Sequence, residues 1–209
     1  MTHPRANIPD RMKHLAVDAR GYAVPFGVVR DADGLPHFGV NDEYERQRSI
    51  RRDLCSVCGK ENLRGRWFVG GPRSAFDPQG AYIDMPMHDE CAHYALRVCP
   101  YLAAPRYTGE IAGKKFAAAR TEDVVMTVDP TTIPGRPPLF VAVMAVGQRM
   151  TGGPLDHQNY VVPARPYRKI EFWCHGGRVD ETEGWARAAD ECGYPVPTLH
   201  RLSQSRNAA

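Results

Sequence analysis

No apolar run in the 209 residues approaches the ~20 residues that a membrane-spanning helix needs. The longest candidate, residues 139–147 (LFVAVMAVG), has half that length and reads as a buried strand. The opening residues, MTHPRANIPDR, lack the charged-then-apolar order of a signal peptide. A cytoplasmic protein with no membrane partner is therefore expected. Nor is there a large excess of one charge: 27 Lys and Arg against 24 Asp and Glu leave +3, too little by itself to imply nucleic-acid binding. P-loop, dinucleotide and nucleophile-elbow motifs are missing, and no internal repeat is found. Gly70-Gly71-Pro72 and Gly152-Gly153-Pro154 read as turns, not phosphate cradles.

What is present suits a folded α+β protein, with 43% hydrophobic and 24% charged residues. Tyr22 to Val29 and Pro36 to Val40 flank an Asp-Gly turn and predict a β-hairpin. A helix is expected over 42–53, capped by Asn41, with acids in its first turn and Arg46, Arg48, Arg51 and Arg52 following. Residues 66–69 read as a strand, 114–120 as a short helix, 124–128 as a strand and 130–138 as a proline-rich loop. Strands are expected at 139–147, 160–162 and 167–174. A helix over 181–192 should start at Asp180, with Glu183 in capping-box register, and stop at Gly193. The expected parts are an N-terminal hairpin and helix (1–54), a zinc-binding module (55–104), a C-terminal α+β part of mixed strands and a packed helix (105–202), and a disordered tail (203–209).

Six cysteines without an export signal point to ligands or core residues before disulfides. Cys55 and Cys58 form a C-x-x-C followed by Gly59, which relieves the backbone where the chain folds back. His88 and Cys91 stand three apart, hence on one face of a helix expected to start near 85–87 with Pro86 in its first turn. Three thiolates and one imidazole make a usual closed ligand set for structural zinc. Cys99 is eight residues past Cys91, about 12 Å along a helix, so it reads as a packing residue. His93 points elsewhere on the helix, and Cys174 and Cys192 sit in or beside apolar runs.

A two-ligand knuckle, a strand at 66–69 and a helix with the second pair at its N-terminus resemble the treble-clef zinc finger, over residues 55–99. The wider pattern of His14-Leu15, Arg20-Gly21-Tyr22, Cys55 to Gly59, Phe68 to Pro72 and His88 to Tyr101 resembles a family of uncharacterised bacterial and phage proteins. That resemblance implies mobile-element ancestry and supplies no catalytic residue.

Enzyme readings fit less well. Treble-clef nucleases need a general-base histidine between knuckle and helix, and no histidine lies between Cys58 and His88. Asp156-His157 resembles their Asp-His pair but follows the finger. A zinc deaminase has its C-x-x-C after the His-x-Glu and keeps one metal position open, which Cys91 would close. Cys174-His175 can form a thiol dyad only if its strand has ended. The leading expectation is a non-enzymatic, zinc-stabilised protein that contacts nucleic acid or a host protein. Arg46, Arg48, Arg51, Arg52, Arg64 and Arg66 flank the knuckle, Trp67 is interleaved, and Arg165, Arg168 and Lys169 lie beside Tyr167. The alternative is a metal-dependent nuclease using Asp156, His157 and His175.

Overall fold

The computed structural model describes residues 7–104, 126–128, 138–152 and 159–205. Its centre is an antiparallel sheet in the order β3 (Arg66–Gly70), β5 (Phe140–Ala145), β8 (Lys169–Cys174) and β9 (Gly177–Val179). Trp67 pairs with Met144, Phe68 with Val143, and Val141 with Phe172. Because side chains alternate across a strand, this register sorts two apolar sets to opposite faces. Phe68, Val141, Val143 and Phe172 share one cluster with Phe76, Trp185 and Leu199. Trp67, Val69, Phe140, Ala142 and Trp173 share the other with Met12, Cys55, Cys58 and Cys91. Burying each large side chain contributes about 1.5–3 kcal/mol, so the sheet is held from both sides.

Helices α2 (Pro72–Phe76), α5 (Glu181–Cys192) and α6 (Val196–Gln204) supply the first cluster, and α3 (Asp89–Val98) supplies the second. Short α4 (Pro100–Ala103) follows α3. A three-stranded sheet of β1 (Val28–Arg30), β2 (Pro36–Asp42) and β4 (Met126–Val128) leads into α1 (Glu43–Arg52). A ribbon of β6 (Gln148–Gly152) and β7 (Asn159–Pro163) is bridged to the rest through Tyr82 and Val161. The α+β class expected from sequence is what the chain forms. The pairing of β3 with β5 carries one hydrogen-bonded sheet across the boundary expected at 104/105.

Several local expectations are corrected. Asp42, not Asn41, caps α1, its carboxylate accepting from the Glu45 amide, because the helix begins at Glu43 and the Asn41 side chain donates to Asp84 instead. Helix α3 starts at Asp89 and not at 85–87, because the Met87 amide and carbonyl pair with Trp67 and keep that stretch extended. The chain past Ser203 continues α6 to Gln204. Ser203 itself is fully buried, its carbonyl accepting from the Tyr167 amide. Asp180 caps α5 and Gly193 ends it at φ 73°, as expected. The helix expected at 114–120 and nearly all of the 130–138 loop lie outside the described residues.

Candidate metal centre

The knuckle closes through short backbone bonds: the Cys55 amide donates to the Lys60 carbonyl at 2.8 Å, and the Gly59 amide to the Cys55 carbonyl at 2.9 Å. Gly59 has φ +68°, and a β-carbon there would stand 2.8 Å from the Phe26 ring. Only glycine meets both conditions. The knuckle is followed by β3 and then by α3, the order that the treble-clef resemblance implies. Between β3 and α3 the chain inserts α2 and the extended segment that bridges back to Trp67.

His88 is the N-cap residue of α3, and Cys91 sits in its first turn. The His88 ring makes no cap bond; it turns toward the cysteines instead. One ligand atom from each of Cys55, Cys58, His88 and Cys91 lies within 4.8 Å of all the others. His88 Nδ1 is 3.3 Å from Cys58 Sγ and 4.0 Å from Cys91 Sγ. The edges of a tetrahedral zinc site with sulfur and nitrogen ligands are about 3.5–3.8 Å, so these four atoms fit that ion with small adjustments. On its far side, His88 Nε2 lies 2.8 Å from the Glu61 carbonyl. A carbonyl only accepts, so Nε2 carries a proton, and Nδ1 is the nitrogen left to bind a metal among the sulfurs.

All four residues are at most 2% exposed. The neighbouring Cys55 and Cys91 thiols hold Cys58 far below the ordinary thiol range, while hydrogen bonds with Cys55 and Cys58 push Cys91 up. For His88, burial opposes the charged form, but the Cys55 and Cys58 sulfurs outweigh it and raise the group to about 10. Opposite shifts at Cys58 and Cys91 follow because buried sulfurs side by side cannot all ionise without a cation. A proton and a metal ion compete for the same Nδ1 lone pair. No disulfide links the six cysteines, and Cys99, Cys174 and Cys192 lie outside the cluster.

The arginines expected to face a partner divide into two groups. Arg46 is 4% exposed, with Nε donating to the Ile83 carbonyl at 2.9 Å and Nη1 to Glu43. Trp67 is 1% exposed beneath His93, with ring centroids 4.9 Å apart, so it offers no stacking surface. Arg66 makes a forked pair with Asp53 at 2.8 and 2.6 Å, and Arg48 pairs with Glu45 and lies over Phe26. In the second basic group, Arg165 is buried, its guanidinium donating to the Ala75 and Asp77 carbonyls. Arg51, Arg52 and Arg64 are exposed and have no ion pair among the described residues. The Leu54 to Glu61 bridge and the Asn62 amide bond to the Asp53 carbonyl lay residues 61–62 alongside the end of α1.

His93 takes a different place from the four clustered residues. Its Nε2 is 2.9 Å from Glu171 Oε2, its ring meets Trp67 and Trp173, and it pins α3 to the sheet. Cys174 does end β8, but His175 occupies the β8–β9 turn at φ 48°. The Cys174 thiol donates to the Pro138 carbonyl at 3.4 Å. Asp156 and His157 lie outside the described residues. A surface hollow of about 430 Å³ beside Arg73, Asp77 and Tyr194 is lined by neither cysteine nor histidine. No described helix is long and apolar enough to cross a membrane. Comparison with protein-family models, with curated proteins and with solved structures gives no match.

Proposed function

We propose that this protein binds one structural zinc ion through Cys55, Cys58, His88 Nδ1 and Cys91, and that it works as a binding protein and not as an enzyme. One observation carries the reading: four buried ligand atoms converge within 4.8 Å, and a backbone carbonyl holds the imidazole in the ligating tautomer. When bound, the ion would neutralise the thiolates and tie the knuckle to α3. Four protein ligands close the coordination sphere, which suits structure and leaves no position for a reacting water. Cobalt substitution tests the assignment. A Co²⁺-loaded chain should show sulfur-to-metal charge-transfer absorption and the visible bands of a tetrahedral site; octahedral bands would count against it.

The surface beside this centre supports a polyanionic partner, and nucleic acid is the one we favour over a host protein. Arg51, Arg52, Lys60 and Arg64 are exposed and outside any ion pair among the described residues, against the exposed Glu61 and the half-exposed Asp53, which is already paired with Arg66. Phosphate contacts by such residues release counterions, with a log–log salt slope of about −0.9 per phosphate on duplex DNA. An anisotropy titration should show weak binding that falls with salt and is lost in Arg51→Glu with Arg52→Glu. No binding at low salt would favour the protein-partner reading. Cleavage of DNA or RNA on adding a divalent metal would favour the nuclease alternative through Asp156 and His157. A cytoplasmic setting, and descent from bacterial or phage proteins, rest on the sequence features alone.

A further inference from the structure

The chain before β1 touches both halves of the metal centre. On the knuckle side, His14 Nε2 donates to the Cys58 carbonyl at 2.9 Å, and the Phe26 and Gly27 amides donate to the Val57 and Ser56 carbonyls at 2.8 and 3.2 Å. On the helix side, Arg11 Nε meets Glu90 Oε1 at 2.8 Å, one residue from Cys91, and the Ala23 amide donates to the Tyr94 hydroxyl at 3.3 Å. Between these contacts Met12, 1% exposed, packs into the cluster that holds Cys55, Cys58 and Cys91, with Ile8 and Leu15 against its margin. Arg11 is held charged first by Glu90, with smaller contributions from the Cys58 and Cys91 sulfurs.

We infer that residues 8–27 form a clasp that governs how fast a metal ion leaves the Cys55, Cys58, His88 and Cys91 site. The inference rests on the zinc reading and adds a kinetic role for a segment that supplies no ligand. The ligands are at most 2% exposed, so a competing chelator reaches them only when covering chain lifts. The release rate then follows the population of the opened form. Among the described residues, the contacts that hold the clasp's first half are few: one half-exposed ion pair, one hydrogen bond to a ligand's carbonyl, and the buried Met12 with Ile8 and Leu15 at its margin. An opening there needs no unfolding of the central sheet.

The test is the rate of zinc transfer from the loaded full-length chain to excess chromogenic chelator. Arg11→Glu places two like charges together and should release zinc about fivefold faster. Adding Glu90→Arg restores the pair in reverse and should return the rate to within about twofold of the parent. Met12→Ala, which removes the buried anchor, should accelerate release by about tenfold or more. In all three variants zinc content should remain one per chain, and hydrogen exchange over 8–27 should quicken in the two single variants only. A parent chain without zinc would contradict the metal reading itself. Bound zinc with parental release rates in both Arg11→Glu and Met12→Ala would contradict the clasp alone.

Discussion

His88 is the residue on which the metal centre turns, because its two nitrogens are assigned opposite tasks by their surroundings. Nε2 faces the Glu61 carbonyl and Nδ1 faces the sulfurs. A metal at Nδ1 and at the thiolates must displace protons from them, so affinity falls as pH falls. The sulfurs raise His88 to about 10, so throughout the neutral range a metal has a proton to displace. A zinc-competition titration between pH 8 and pH 5 should show binding weakening by about tenfold or more per unit of acidification. A flat profile would rule out ligation by protonatable groups. Gly59 is the second informative residue. Gly59→Ala forces a left-handed backbone on alanine and a contact with Phe26, and should cost about 1–3 kcal/mol in denaturant unfolding. All four residues of the cluster and this glycine were legible in sequence, since metal-ligand chemistry favours these residue types at these spacings. The fate of the arginines was not. Whether Arg46 faces Ile83 or solvent, and whether Arg66 finds Asp53, depends on which distant chain arrives beside them.

Among the elements, those with strong local signals formed where expected. Helix α5 has an Asp180 side chain accepting from the Thr182 and Glu183 amides and a left-handed Gly193 at its end. Asp180→Ala should therefore lower stability by about 1 kcal/mol, read as a shifted urea midpoint with unchanged slope. The elements that sequence missed are those whose reason is tertiary. Helix α6 begins with prolines and is largely polar, yet Leu199 and Ser203 are completely buried. Strand β6 has little apolar pattern and exists through pairing with β7. Helix α3 shows the same rule in reverse: a proline that suits a helix start is overruled by the Met87 bridge to Trp67, which delays the helix until Asp89.

At the scale of the whole molecule, the candidate metal centre belongs to one of two apolar clusters on opposite faces of a shared sheet. Removing the ion should loosen the cluster containing Met12, Cys55, Cys58 and Cys91 before the one built on Phe76, Phe172 and Trp185. Hydrogen exchange after chelation should thus rise in residues 55–60 and 88–98 while β8 and α5 keep their protection. Small zinc fingers draw ~10 kcal/mol or more from their ion; this larger chain, with a second cluster intact, should lose stability without losing its fold. The most direct measurement is elemental analysis of the purified chain beside its Cys58→Ser variant, with thermal melting of both. The parent should carry one zinc per chain, and the variant should carry less and melt at a lower temperature. A parent that is free of metal and still melts in one intact transition would contradict the account.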